Sequence, residues 1–166
     1  GNRIQGREYA IMLPGIFRPC SRIYEEQPLN RPFHYAFRVT DLTATRDFYT
    51  RVIGCREGRS TARWIDFDFF GNQISAHLAD RLESMDPIGE VDAVKVPIPH
   101  FGAILSRSEF NSVKHRLEES GASFIVEPYL RYAGQKGQQY TLFVLDPSGN
   151  PLEFKSFVDE HELFSG

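Results

Sequence analysis

The chain has 166 residues, of which 41% are hydrophobic and 25% charged, with a formal net charge of -3. That length suits one domain or two small modules sharing a core, and the 14 phenylalanines give such a core ample material. No run of Lys and Arg marks a nucleic-acid or anionic-membrane surface, and no apolar run approaches the roughly 18 residues of a membrane span.

Residues 1–30 carry Pro14, Pro19 and Pro28, which break regular elements, and they read as a peripheral N-terminal extension. The segment has neither a long apolar stretch nor a small-residue cleavage site, so it is not expected to be a secretory leader. Cys20 and Cys55 do not form a disulfide framework and suit a reducing, cytoplasmic setting.

The first patterned stretch is RPFHYAFRVTDLTATRDFYTRVIG, residues 31–54. Tyr35, Phe37 and Val39 alternate with His34, Ala36 and Arg38, the period of a strand with two unlike faces. Leu42, Phe48, Tyr49, Val52 and Ile53 then recur at helical spacing and supply a cover for the apolar face. Asp41 or Thr43 is placed to cap the helix and Gly54 to end it. A short strand is expected near residue 57. RWIDFDFF at 63–70 alternates again, with Trp64, Asp66 and Asp68 on one face. Gly71-Asn72 reads as a hairpin turn. QISAHL follows, with Gln73, Ser75 and His77 on its polar face. Residues 79–96, rich in acids and broken by Pro87 and Gly89, are expected to be a linker without regular sheet.

A second module begins at residue 97. His100, Gly102 and Ile104 alternate with Phe101, Ala103 and Leu105. Ser106 or Ser108 is placed to cap a helix that buries Phe110, Val113 and Leu117 and stops at Gly121. The His34–Gly54 and His100–Gly121 spans match within one residue, which makes the second stretch a degraded repeat of the first. A strand at about 122–127, a loop from Pro128 to Gln138 and a strand at 139–145 follow. Asp146-Pro147-Ser148-Gly149-Asn150 is a turn. PLEFKSF is the last strand, with Glu153 and Lys155 opposite Leu152 and Phe154. The domain is therefore expected to span 31–158, as modules 31–80 and 97–158 joined by 81–96, with 159–166 as a tail.

Each module offers two polar residues on faces that its helix does not cover: His34 and His77, then His100 and Glu153. All four would meet if the polar faces of the two modules turned toward each other. Imidazoles and a carboxylate suit a divalent first-row ion such as Fe, Mn, Ni, Co or Zn. Arg38, Gln73, Ser75 and Lys155 share those faces and are candidate substrate contacts. Tyr140, on a neighbouring strand, is a further candidate, and Arg131 and Tyr132 lie in a stretch where a lid would sit.

HYAFRVTDLTATRDFYTRVIG, QISAHL, PHFGAIL and FVLDPSGNPLEF together resemble the vicinal oxygen chelate superfamily, which includes glyoxalase I, fosfomycin- and bleomycin-resistance proteins and extradiol dioxygenases. RPFHYAFRV, RWIDFDFFGNQISAHL and VPIPHFGAIL resemble its small predicted extradiol dioxygenases. The resemblance implies an α+β fold of two βαβββ modules, cupped as a mixed sheet around one metal held by His34, His77, His100 and Glu153. It also implies a homodimer, a small aromatic or vicinal-oxygen substrate, and a dioxygenase with Fe(II) as the metal. Glyoxalase I has a carboxylate at the position of His77, whereas dioxygenases hold iron with two His and one Glu. His77 is thus expected either as a fourth ligand, which suits isomerase or lyase chemistry, or as a catalytic acid–base beside the ion. A metal-free binding protein is the third expectation for the same fold.

Overall fold

The structure is a computed structural model that describes residues 32–82, 89–91 and 93–164. The expected N-terminal extension, most of the linker centre and the last two residues lie outside the described residues. In the first module β1 (His34–Val39) leads through α1 (Leu42–Asp47) to β2 (Arg56–Ser60), β3 (Trp64–Phe69) and β4 (Asn72–Leu78). A two-stranded ribbon of β5 (Gly89–Val91) and β6 (Val94–Val96) comes next. The second module repeats the plan as β7 (Phe101–Ile104), α2 (Arg107–Ser120), β8 (Phe124–Arg131), β9 (Gln139–Leu145) and β10 (Pro151–Phe157). The two four-stranded mixed sheets have the same order, β1-β4-β3-β2 and β7-β10-β9-β8. In each, the first and last strands pair in parallel, because the helix carries the chain back across the sheet before the remaining strands return antiparallel.

Local chemistry explains the element ends. The Asp41 side chain accepts from the amides of Thr43 and Ala44 at the start of α1. The helix widens into a π-helical stretch, Phe48–Ile53, which Gly54 stops with φ 91°. That widening lets the neighbours Phe48 and Tyr49 both face inward. Ser106 and Glu109 form a capping box on α2, and Gly121 ends it at φ 70°. Two expectations fail here. The linker contains the β5–β6 ribbon, and β8 continues through Pro128 to Arg131. Proline is tolerated there because β8 is an edge strand whose register against β9 slips between Val126 and Tyr129. No helix among the described residues is long and apolar enough to cross a membrane.

One core serves both modules. Phe37, Val39, Ile65, Phe67, Phe69, Ile74 and Ala76 of the first sheet join Leu142, Val144, Leu152 and Phe154 of the second, with both helices between them. Phe101 is the aromatic hinge of this contact, 5.1 Å from Phe37 and 5.9 Å from Phe69 by ring centroids. Each such ring contributes about 1.5–3 kcal/mol by burial. The 146–150 turn fastens the modules together. Asp146 accepts from the amides of Ser148 and Asn150 at 2.8 Å and from the buried Tyr49 hydroxyl at 3.2 Å. Asn150 donates to the Arg38 carbonyl at 2.9 Å, and the Thr40 amide donates to Ser148 at 3.0 Å. Arg116 of α2 donates to the last carbonyls of the first helix, Val52 and Ile53.

Two predictions arise here. Tyr49→Phe removes a donor from a buried carboxylate and is expected to cost about 1–2 kcal/mol in a urea melt; an unchanged midpoint would show that the bond contributes nothing. The second concerns alkaline pH. Burial pushes the Cys55 thiol up to about 12 and, with Asp146 nearby, holds the Tyr49 hydroxyl well above its usual range. Between the ordinary thiol value of 9.0 and about 12, an unfolded chain releases a proton that the folded one keeps. Stability is therefore fully present below pH 9 and falls as pH rises through that window. Melts taken at rising pH should show the decline, and Cys55→Ala should flatten it.

Candidate metal centre

The second module brings two of the expected ligands together. His100 stands just before β7 with its ring edge-on to Phe143 at 5.1 Å. Its Nδ1 lies 2.9 Å from the Pro97 carbonyl, which can only accept, so Nδ1 carries the hydrogen. Its Nε2 faces Glu153 Oε2 at 3.4 Å. Glu153 is buried on β10; its Oε1 accepts from the Thr141 hydroxyl at 3.0 Å, and Lys155 Nζ lies 3.0 Å from Oε2. In a neutral imidazole, Nε2 and Oε2 are two electron-pair donors pointing at one another, which a shared cation satisfies. Two ligands on bonds of about 2.1 Å at 90–109° stand roughly 3.0–3.4 Å apart, so the pair fits one divalent ion. A cleft of about 210 Å³ opens beside His100, Gly102, Glu153 and Lys155. Gly102 makes the arrangement feasible: a Cβ there would collide with the Glu153 carbonyl oxygen.

The first module carries a separate polar cluster on the outer face of its sheet. His34 Nδ1 is 3.0 Å from Gln73 Oε1, and the Gln73 amide donates to Asp66 Oδ2 at 3.1 Å. Ser75 donates to the other oxygen of Asp66, and Arg59 Nη2 pairs with Oδ2 at 3.2 Å. Asp66 is only 5% exposed. A shallow hollow of about 360 Å³ lies over Arg56, Arg59, Asp66, Asp68 and Gln73. Asp66 is the site residue that the sequence pattern places on the correct face but does not single out. Its signal was a carboxylate in mid-strand between Ile65 and Phe67, where an acid needs fixed partners.

Strand register decides how the four expected ligands are arranged. With His34 matched to His100, Ala36 corresponds to Gly102, and their partners Ser75 and Glu153 correspond to each other. His77 therefore corresponds to Lys155. Gln73, not His77, stands beside His34; His77 lies four residues farther along β4, about 13 Å at ~3.3 Å per residue. That is farther than two imidazoles can reach toward one ion. The His77 ring instead packs near Trp64, 6.5 Å between centroids. The apolar faces of both sheets meet in the shared core, so the polar faces point away from it and from each other. Within one chain His100 and Glu153 come together, while His34 and His77 do not join them. Among the described residues no group of three His, Cys, Asp or Glu is placed to hold a metal ion.

The candidate substrate contacts sort by the same geometry. Gln73 and Ser75 are engaged with His34 and Asp66, and Lys155 with Glu153. Arg38 is exposed on the His34 face, level with His77. Tyr140 is on the wrong face: it alternates with Thr141 and packs toward α2, with the Arg107 guanidinium 3.4 Å over its ring. Arg131 stacks on Tyr132 at 4.6 Å where β8 ends, so the expected lid begins only beyond it.

A family profile described as the Glyoxalase/Bleomycin resistance protein/Dioxygenase superfamily matches residues 31–154. A glyoxalase/bleomycin resistance protein/dioxygenase from Alicyclobacillus acidocaldarius shares 30% identity and a TM-score of 0.68, over 81% of this chain and 97% of its own. The fosfomycin resistance protein FosX from Listeria monocytogenes has the fold at 18% identity and a TM-score of 0.59, over 78% of this chain and 93% of its own. A mutant of that FosX, complexed with Mn(II) and 1S,2S-dihydroxypropylphosphonic acid, is similar at 17% identity and a TM-score of 0.60, over 78% and 94% of the two chains. No relative was found among curated proteins.

Proposed function

The chain belongs to the glyoxalase/bleomycin resistance protein/dioxygenase superfamily, and from that premise we propose that it is a metal-dependent enzyme whose centre is completed between two copies of the chain. The observation that carries this reading is the pair of half-buried His100 and buried Glu153, Nε2 and Oε2 3.4 Å apart, with no third ligand beside it among the described residues. His34 is the missing ligand, presented outward on the opposite side of the same chain. A homodimer that apposes the two outer faces brings His34 of one protomer to His100 and Glu153 of the other. Ser75 occupies the position that corresponds to Glu153, so no second carboxylate supplies a fourth ligand from that position. Two imidazoles and one carboxylate leave three positions of a six-coordinate ion open, the pattern of non-haem Fe(II) oxygenases. That favours a dioxygenase acting on a small aromatic or vicinal-oxygen compound over a four-ligand isomerase. Fe(II) is the first candidate; Zn, Ni, Co and Mn are compatible with the same ligands.

A bound ion would act as a Lewis acid toward the vicinal oxygens of the substrate. The residues of the chain supply the rest. Thr141 and Lys155 hold the Glu153 carboxylate in one orientation, and the Lys155 charge favours a substrate that binds as an anion. His77 lies on the same outer face as His34, where it would position a substrate or exchange a proton with it. His77→Ala is accordingly expected to leave metal content unchanged while lowering turnover; loss of the ion would restore His77 as a ligand. The test of the reaction is oxygen uptake by Fe(II)-loaded protein across a panel of catechols. Uptake that depends on both iron and His34 supports the dioxygenase. Isomerisation or addition without oxygen uptake would move the same site to lyase or isomerase chemistry. Tight ligand binding with no turnover would make it a binding protein.

A further inference from the structure

We infer that Asp66, acting through Gln73, is a positioning residue that holds His34 in the Nδ1–H tautomer and leaves Nε2 bare. The inference deepens the proposed function, since a bare Nε2 is what a metal requires of His34. It begins with a side chain that is difficult to explain otherwise. Asp66 is a carboxylate, 5% exposed, in the middle of a strand whose neighbours Ile65 and Phe67 enter the core. An ionised carboxylate can only accept hydrogen bonds, and here it takes them from Ser75, Gln73 and Arg59.

The direction of the Gln73 amide follows. Its Nε2 lies 3.1 Å from Asp66 Oδ2, and its Oε1 lies 3.0 Å from His34 Nδ1. Turning the amide over would set oxygen against carboxylate at one end. Asp66 therefore fixes the amide nitrogen toward itself and the amide oxygen toward His34. An amide oxygen only accepts, so His34 Nδ1 must carry the hydrogen. A neutral imidazole has one N–H, and Nε2 is left with its lone pair. An unconstrained histidine side chain in water favours the opposite tautomer, so the chain of bonds reverses a preference. The second module reaches the same result by another route, since the Pro97 carbonyl takes the Nδ1 hydrogen of His100. Both imidazoles thus present Nε2, one held by a backbone carbonyl and one by a carboxylate acting through an amide. Outer partners of this kind typically influence metal affinity by about 10–100-fold.

The test is made on the full chain stripped of metal, with ¹⁵N-labelled histidine, near pH 8, above the ordinary histidine range of about 6.5. Ring-nitrogen shifts distinguish a bare nitrogen from one bearing hydrogen, and the His34 signals are identified by their loss in His34→Gln. The wild type is expected to show Nδ1–H at His34 and at His100. Gln73→Met and Asp66→Leu should each move His34 to Nε2–H or to a mixture, with His100 unchanged. Titration with Mn(II) and Zn(II) should then show affinity lower by about 10–100-fold in both variants. Two results overturn the inference: Nε2–H at His34 in the wild type, or Nδ1–H persisting in both variants. The tautomer readout needs no metal. A wild type with the expected tautomer that binds no ion would therefore sink the metal reading and leave this one standing.

Discussion

Gly102→Ala is expected to be the most damaging single-atom-group addition to this protein. The new Cβ would collide with the Glu153 carbonyl oxygen and lie 2.6 Å from its carbonyl carbon, both backbone atoms that no rotamer change can move. β7 and β10 would have to separate at the one level where Glu153 is presented. Overpacking of side chains costs typically 1–3 kcal/mol, and a clash of backbone against backbone belongs at or above the top of that range. Phe101, on the adjacent position, would be displaced from Phe37 and Phe69, which loosens the contact between the modules. Urea unfolding of Gly102→Ala should show a loss of about 3 kcal/mol or more, together with loss of divalent-ion binding. A variant of wild-type stability that binds metal normally would mean that β7 does not approach Glu153 as described.

Glu153→Gln should separate function from stability. The glutamine keeps the shape and the bond from Thr141, and it removes a buried negative charge whose desolvation is costly. Metal-free Glu153→Gln is therefore expected to lose less than about 1 kcal/mol: the amide nitrogen in place of Oε2 faces His100 Nε2, and the Lys155 ammonium that loses its partner there is partly solvated. Ion affinity should fall by more than the roughly 100-fold that outer partners can account for, because the only carboxylate of the proposed ligand set is gone. Calorimetric titration with Mn(II) or Zn(II) and a thermal melt of the metal-free protein check both halves. Unchanged affinity would remove Glu153 from the site.

Much of this architecture could be read in the sequence because it depends on local periods. The alternation of Tyr35-Phe37-Val39 and of Ile65-Phe67-Phe69 gave the strands and their faces, and Gly54 and Gly121 marked helix ends that only a left-handed residue makes easily. What failed depends on pairing across the chain. Alternation assigns His77 to the right face, but only register shows that it is level with Arg38 and not with His34. The β5–β6 ribbon is three residues on each side with no period long enough to notice. Pro128 looked like the end of a strand, since nothing local announces an edge position with slipped register. Tyr140 was recoverable: it shares parity with Leu142 and Val144 and so belongs to the core face. The direction in which the two polar faces point follows from how two whole sheets bury their apolar sides, which no short stretch encodes.

A centre shared between chains can be tested by mixing two broken chains. His34→Ala lacks the outward ligand, and Glu153→Ala lacks the carboxylate; neither alone should bind a divalent ion tightly. When the two are unfolded together and refolded at equal concentration, mixed dimers should contain one intact centre, with His34 from one chain and His100 and Glu153 from the other. Metal binding is expected to return in the mixture. Wild-type protein refolded in the same way that binds the ion, beside a mixture that binds none, would contradict a centre shared between chains.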